Sequence, residues 1–307
     1  MKTLKSKLYQ GLVLSAAVWA TACSEVKFDP AAKPGDGSLA VKGPQVEAFN
    51  FDDEAAKAKV DVLFVVDNSE SMLDEQTKLS TAFSSFTSSL GQIDWQMAMT
   101  TTDVSAGPHG IKGDLVNFKG TSSNILTKNT PNFAGIFSGT VVRDELQGCD
   151  DITVPCPSPD ERPLEALVMA MQKKDSSNSG FFRSGADLAV VILSDEDEGS
   201  NGLNAIAPLA VLNTFQNIFG TAKSFSAYGI VIRPGDFPCY NSQVANAGKY
   251  ANIITAFTVL TRGVTGSICA NDYGPTLASI GNRVREMVKS ISLKYVPDPA
   301  TVKITFS

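Results

Sequence analysis

The sequence predicts an α/β fold with a doubly wound, mostly parallel central sheet flanked by helices. Two apolar runs, residues 60–66 and 187–193, have the near-continuous aliphatic and β-branched composition of strands that are buried on both faces. Each run ends in an oxygen-rich loop, and segments with helical periodicity separate the predicted strands. This alternation predicts parallel strand-helix units within one large domain.

The first oxygen-rich loop, residues 67–71, leads into a helix predicted over residues 72–90. Apolar residues recur there at helical spacing, while serine, threonine and lysine fill the other face. Gly91 ends the helix. Residues 93–99 then alternate apolar and polar side chains, which predicts an amphipathic second strand near an edge of the sheet.

Residues 100–160 have a looser pattern that is rich in Thr, Asn, Gly and Lys. A hairpin is expected around residues 113–119 and a short helix around residues 131–137. The single histidine, His109, lies in a Gly-Pro-His-Gly sequence that is typical of a turn, so we expect it in an exposed loop. One imidazole without neighbouring ligands makes a poor metal site.

The second half of the chain continues the alternation of strands and helices. A helix is predicted from Pro163, which suits the first helical turn, with Asp160 as its N-cap. After the strand of residues 187–193, the side chains of residues 196–198 are expected in a solvated acidic turn. The remaining predictions are a helix from Pro208, a strand over 223–232, a loop over 233–249, an apolar segment of ambiguous type over 253–260, a helix over 277–291 and an edge strand over 302–306.

The N-terminus has the features of an export signal. In residues 1–22, lysines precede an apolar stretch that is too short to span a bilayer, and small residues end it. Cys23 follows as in a bacterial lipobox, so we expect a lipidated Cys23 at the start of the processed chain. Residues 23–58 predict a flexible tether, residues 59–292 the folded domain, and residues 293–307 a C-terminal edge strand or tail.

The charge balance restricts the partners. The formal net charge is −6, and the charged residues of the signal are lysines, so the processed chain is more acidic still. An acidic chain without a basic cluster is not expected to bind nucleic acid. Ser24 after the cysteine resembles the sorting signal of Gram-negative outer-membrane lipoproteins. We therefore predict a lipid-anchored exported protein, with the outer membrane as its expected location.

Five cysteines in an exported chain divide into one lipid anchor and four that are available for disulfides. More than one pairing is open to four cysteines. The economical choice joins Cys149 to Cys156 and Cys239 to Cys269, which predicts a disulfide-stapled loop region. None of the four has the spacing of a zinc site.

The carboxyl ends of the two buried strands carry the candidate functional residues. Asp67, Ser69 and Ser71 alternate after the first strand, and Asp195 follows the second. Parallel neighbouring strands bring these ends to one edge of the sheet, where a divalent cation offsets the repulsion between the carboxylates. Hard oxygen ligands favour Mg²⁺, Mn²⁺ or Ca²⁺ over zinc.

The Asp-x-Ser-x-Ser sequence after an apolar strand resembles the metal-ion-dependent adhesion site of von Willebrand factor A (VWA) domains. Asp195 stands where these domains keep their last metal aspartate. The Ser-Asp-Glu-Asp segment from residue 194 and the Ser-Ile-Cys-Ala-Asn-Asp-Tyr segment from residue 267 are similar to bacterial VWA lipoproteins. The resemblance covers roughly residues 60–291 and implies a VWA-like or Rossmann-like fold.

One position departs from the VWA pattern. Counting from Leu164 and Ala166, Glu161 stands where these domains usually place a metal-binding threonine. A glutamate there either ligates the cation or takes the position that a partner's carboxylate would occupy. The alternative is a residue of the first helical turn that the helix dipole favours.

Three functional hypotheses follow. The resemblance implies a non-enzymatic binding module in which an Asp or Glu of a partner protein completes the coordination of the bound cation. A second hypothesis is a serine hydrolase that uses Ser69 or Ser71 with His109, although the chain has no Gly-x-Ser-x-Gly motif. A third is a structural lipoprotein whose metal site is filled by Glu161.

Overall fold

The computed structural model describes residues 58–146, 149, 154–199, 204–288 and 303. The described residues up to 288 belong to one compact unit. The predicted signal, Cys23, the tether before residue 58 and, apart from Lys303, the strand predicted over 302–306 lie outside the described residues.

The described residues contain a six-stranded sheet in the order β3-β2-β1-β4-β5-β6. The strands are β1 Lys59–Val66, β2 Asp94–Thr101, β3 Leu126–Thr127, β4 Asp187–Leu193, β5 Phe225–Val231 and β6 Thr265–Ser267. Every neighbouring pair is parallel except β2 with β3, which confirms the predicted α/β fold with a mostly parallel sheet. From β1 the chain adds β2 and β3 on one side, and from β4 it adds β5 and β6 on the other side. The direction of strand addition therefore switches between β1 and β4. Ligands of open α/β sheets bind outside the carboxyl ends of the strands at such a switch point.

Seven α-helices are present among the described residues, and they lie on both faces of the sheet. They are α1 Leu73–Leu90, α2 Phe133–Val141, α3 Pro163–Gln172, α4 Pro208–Phe219, α5 Phe237–Gln243, α6 Asn252–Leu260 and α7 Gly274–Val288. A 3₁₀ turn, Glu70–Met72, leads into α1.

Alternate residues of the buried strands supply two separate cores, because successive side chains of a strand point to opposite faces. Phe64 of β1 packs edge-on against Phe83 of α1 and Phe137 of α2, on the face that α7 also covers. The neighbouring Leu63 points to the other face, which α3, α4 and α6 cover. Both faces of β1 are therefore sealed from water, as its apolar composition predicts.

Two predictions about the first half need correction. Strand β2 is buried along almost its whole length rather than amphipathic, because its polar residues bond to neighbouring loops: Gln96 donates to the carbonyls of Gly180 and Phe181. The predicted hairpin over 113–119 is not formed. Instead, Asn178 accepts from the Leu115 N–H and donates to the Gly113 carbonyl, which holds this segment as an ordered loop.

Asp160 is not the N-cap of α3. Arg162 occupies that position, and the Asp160 carboxylate accepts from the Arg162 guanidinium at 2.8 Å instead. Pro163 does open the helix, as predicted. In the loop predicted over 233–249 the short helix α5 forms, and the ambiguous segment over 253–260 is helix α6.

Among the described residues, no helix is both long enough and apolar enough to cross a bilayer.

Candidate metal site at the carboxyl edge of the sheet

The backbone places Asp67 and Asp195 at the same edge of the sheet. Val66 of β1 is in register with Leu193 of β4, and the Asp67 N–H donates to the Leu193 carbonyl at 2.9 Å. Both aspartates therefore leave adjacent parallel strands at the switch point, and their side chains are 0% and 1% exposed.

Local hydrogen bonds fix the Asp67 carboxylate. One oxygen accepts from the Ser69 N–H at 2.8 Å, and the other accepts from the Ser194 hydroxyl at 2.6 Å. Burial raises the pKa of Asp67 to about 6; the bonds from Ser194 and Ser69 oppose that rise, and the nearby Glu196 charge adds to it. The main chain is held as well, because Gln76 Nε2 donates to the Asp67 carbonyl at 2.8 Å.

The two serine hydroxyls lie together beside these carboxylates. Ser69 Oγ and Ser71 Oγ are 3.2 Å apart, so one donates to the other. Ser71 also faces Asp195 and lowers the pKa of that carboxyl group. The structure thus gathers Asp67, Ser69, Ser71 and Asp195, which are four of the five residues that the sequence predicts for the site.

Asp195 has an unusual environment for a buried acid. Neither of its side-chain oxygens makes a hydrogen bond of normal geometry among the described residues, although the Ser71 hydroxyl is near enough to lower its pKa. Burial, followed by the charge of Asp67, raises its pKa to about 8, and Glu196 and Glu75 add to the rise. A buried carboxylate without donors is costly unless a proton or a cation neutralises it.

The donor set fits a hard divalent cation. Carboxylate and hydroxyl oxygens are the ligands that Mg²⁺ and Ca²⁺ prefer, and both ions accept water in the remaining positions. No group of three or more His, Cys, Asp or Glu side chains suited to a metal ion occurs in the described part of the chain. A cation at this edge would therefore depend on serine oxygens and water in addition to the two aspartates.

Glu161 lies beside the same edge and is 1% exposed. Its carbonyl accepts from the Gly199 N–H at 2.9 Å, and the next residue, Arg162, donates its N–H to the Thr102 carbonyl at the end of β2. These bonds join the start of α3 to the loop after β4 and to the end of β2. Glu161 is thus a buried residue of the edge that precedes the N-cap Arg162, so it does not lie in the first turn of α3.

The prediction that residues 196–198 form a solvated turn is wrong. Glu196 and Glu198 are buried, and each acid has a structural partner. Asp197 accepts from the N–H groups of Ile253 and Ile254 at the start of α6, and Glu198 accepts from the Leu164 N–H at the start of α3. The free N–H groups of helix starts attract carboxylates, which explains why this acidic loop is drawn inward.

His109 forms its hydrogen bond with the main chain and not with either serine. Its Nε2 is 2.8 Å from the Pro155 carbonyl, and it is half-buried rather than exposed. The two serine hydroxyls bond to each other instead. The described contacts therefore do not pair a serine with the histidine.

Both predicted disulfides are present, Cys149–Cys156 and Cys239–Cys269. The second joins α5 to the segment after β6, near the carboxyl edge of the sheet.

Two positioning residues escaped the sequence analysis. Ser194 holds one oxygen of Asp67, and Gln76 holds its carbonyl while accepting from the Arg143 N–H at 2.9 Å. Ser194 could have been identified from its place directly after a buried strand. Nothing in the sequence distinguishes Gln76, because a glutamine in a helix is usually solvated.

The fold and site define an α/β protein with an acidic, oxygen-rich switch point. No family model matches the chain, and no curated protein matches it. Similar solved structures include proximal thread matrix protein 1 from the mussel byssus, at 10% identity and a TM-score of 0.39. An aerotolerance-related membrane protein from Bacteroides fragilis has 10% identity and a TM-score of 0.38, and the open pilus adhesin SpaC from Lactobacillus rhamnosus GG has 12% and 0.40.

The matches cover 75–76% of this chain. They span 48% of the mussel protein and 30% of the pilus adhesin, but 100% of the Bacteroides protein.

Proposed function

We propose that this chain is a non-enzymatic, lipid-anchored binding module that uses a divalent cation, Mg²⁺ or Ca²⁺, to capture a carboxylate of a partner protein. Asp67, Ser69, Ser71 and Asp195 would hold the cation. The Asp-x-Ser-x-Ser sequence and the position of Asp195 resemble the metal-ion-dependent adhesion site of VWA domains, which supports an adhesion or assembly role.

One observation carries the proposal. Both oxygens of Asp195 are buried and make no hydrogen bond of normal geometry among the described residues, next to the buried carboxylate of Asp67 and the hydroxyls of Ser69 and Ser71. Such an arrangement is unfavourable without a positive charge and favourable with one. A divalent cation gives these groups the partner that they otherwise lack.

The residues of the edge have distinct roles in this proposal. The Ser69 N–H and the Ser194 hydroxyl orient the Asp67 carboxylate, so its geometry is set before binding. Gln76 and the 3₁₀ turn Glu70–Met72 hold the serine loop in place. When bound, the cation supplies a coordination position that water vacates for an Asp or Glu of the partner.

The membrane attachment is part of the proposal and rests on the N-terminal sequence. A lipid on Cys23 would anchor the chain in the outer membrane of a Gram-negative bacterium, and residues 23–58 would hold the binding domain away from the lipid surface.

Calorimetric titration of the full-length chain with Mg²⁺ and with Ca²⁺ tests the metal site. We expect saturable binding that Asp67→Ala abolishes, because the substitution removes one of two buried carboxylates. Asp175→Ala is the matched control, since Asp175 carries an exposed carboxylate beyond the far end of α3. Equal titrations for the wild type and Asp67→Ala would contradict the proposal. Capture of a partner with and without chelator then tests metal-dependent binding.

Two further substitutions separate the alternatives. The hydrolase hypothesis requires His109, so under that hypothesis His109→Ala would abolish function. Under the proposed binding function, the same substitution would leave metal-dependent capture of the partner unchanged. Glu161→Gln addresses the departure from the VWA pattern. A loss of metal affinity would make Glu161 a ligand, whereas unchanged affinity with stronger partner capture would make it a competitor for the partner's position.

A further inference from the structure

A cavity borders the candidate metal site. Its volume is about 420 Å³, within the range of roughly 300–1,000 Å³ that is usual for ligand sites. The lining includes Asp197, Tyr240, Lys249, Tyr250, Asn252 and Ile253, which we call the aromatic cavity. The Lys249 N–H donates to the Asp195 carbonyl at 2.9 Å, so the wall of the cavity is joined directly to the metal aspartate.

The charged groups of the aromatic cavity already have partners. Asp197 accepts from the N–H groups at the start of α6, and Lys249 Nζ is 3.0 Å from Glu196 Oε2. Recognition in the cavity therefore depends on its aromatic surface more than on its charges.

That surface extends out to solvent. The rings of Tyr240 and Tyr250 are stacked at 4.4 Å, and Phe237 packs edge-on against Tyr250 while remaining 68% exposed.

The aromatic wall is also held rigidly. Cys239 joins α5 to Cys269, and the Asp236 carboxylate accepts from the Cys239 N–H at 3.3 Å. A preorganised aromatic surface loses little conformational entropy on binding, and tyrosine and other aromatic side chains are concentrated in protein interfaces.

We infer that the aromatic cavity is a second subsite for the same partner: it receives an aromatic side chain from the protein segment whose Asp or Glu reaches the cation. This inference rests on the proposed function and adds the partner's chemistry to it. A single carboxylate selects weakly among proteins, whereas an acidic residue at a fixed distance from an aromatic one selects a particular segment.

Fluorescence anisotropy with the full-length chain tests the inference. The probes are labelled Gly/Ser peptides that carry one Asp and one Trp at varied spacing, with Trp→Ser and Asp→Asn versions of each, in Mg²⁺ and in chelator. We expect one spacing to bind about tenfold more tightly than its Trp→Ser version, and only with Mg²⁺. Phe237→Ser, which removes the exposed ring beside Tyr250, should reduce that gain. Val259→Ser, at an equally exposed apolar residue near the other end of α6, should not.

The other outcomes separate the two claims. Mg²⁺-dependent binding of Asp peptides with no gain from Trp would overturn the cavity inference and leave the proposed function standing. A Trp-dependent gain that persists in chelator and in the Asp→Asn peptides would overturn the inference that the carboxylate and the aromatic side chain are recognised together. If calorimetry also showed no metal binding, the proposed function would be overturned as well. The inference would also be overturned if free N-acetyltryptophanamide bound as tightly as the best Asp-Trp peptide, or if no peptide bound with a Kd below about 1 mM.

Discussion

The two ends of β1 handle a buried carboxylate in opposite ways. At the amino end, Asp61 is fully buried and pairs with Arg183 at 2.7 Å and Lys223 at 3.4 Å. Burial raises its pKa, and the two cationic side chains oppose the rise. At the carboxyl end, Asp67 and Asp195 face each other without a cationic side chain that pairs with either among the described residues.

The difference separates an acid that the chain itself compensates from a pair of acids that it does not, which supports the proposed cation site at the carboxyl end. Both ends of the strand are buried in surroundings of low polarity. At the amino end, Arg183 and Lys223 offset the charge of the acid, whereas at the carboxyl end two acids lie together. Charge compensation from the chain itself fixes a fold, whereas missing compensation leaves a place for an external ion.

Breaking the amino-end pair should have the largest effect. We expect Asp61→Asn to lower the free energy of unfolding by about 3–5 kcal/mol, because it leaves the Arg183 and Lys223 charges without their buried partner. Urea unfolding measures the change. Asp94→Asn is the control: it also meets Arg183 but is 42% exposed, and should cost less than about 1 kcal/mol. Equal costs would remove the contrast between buried and exposed partners.

The carboxyl end should give the metal-free protein an unusual pH dependence. The pKa values of Asp67, Asp195 and Glu198 are raised to about 6, about 8 and about 7. Between about pH 4 and pH 8 the folded state therefore holds more protons than the unfolded chain, whose aspartates titrate near about 3.9. Stability in chelator should therefore fall as the pH rises from about pH 5 to pH 8.

Saturating Mg²⁺ should flatten this slope, because the cation stabilises the ionised carboxylates of the folded state. Urea unfolding across this pH range, with chelator and with Mg²⁺, compares the two slopes. Identical slopes would argue against a cation between Asp67 and Asp195.

Removing one acid from the carboxyl end should stabilise the metal-free protein, opposite in sign to Asp61→Asn. Asp195→Asn removes the cost of protonating this buried acid on folding at pH 7, and we expect a gain of at least about 1–2 kcal/mol in chelator, since one pKa unit corresponds to about 1.4 kcal/mol. The same variant should lose Mg²⁺ binding. Thermal unfolding with chelator and calorimetry measure both effects, and destabilisation in chelator would contradict an unfavourable burial of this acid.

The smallest effect concerns the acidic loop beside Asp195. Asp197→Ala should lower stability by about 1 kcal/mol, because the α6 start loses the acceptor of the Ile253 and Ile254 N–H groups. Metal affinity should stay close to the wild type. A large loss of affinity would show that Asp197 acts in the ion site and not only as a helix cap.

The sequence was most informative where burial is two-sided. Strand β4 has the predicted bounds, and β1 differs from its prediction by one residue, because continuous aliphatic runs have few alternatives to a central parallel strand. It was least informative in polar segments. Buried Gln96 and Asn178, and the inward-turned Glu198, obtain their hydrogen bonds from residues distant in the chain.

The sequence by itself determined the α/β class, the two central strands and the residues that lie at their carboxyl ends, since these follow from local apolar pattern and loop composition. Only the tertiary structure decided that Ser194 and Gln76 orient Asp67, that the acidic loop caps two helices, and that Asp195 makes no hydrogen bond of normal geometry within the described part of the chain. Whether a buried acid has a partner depends on groups that only folding brings together, and no local pattern encodes it.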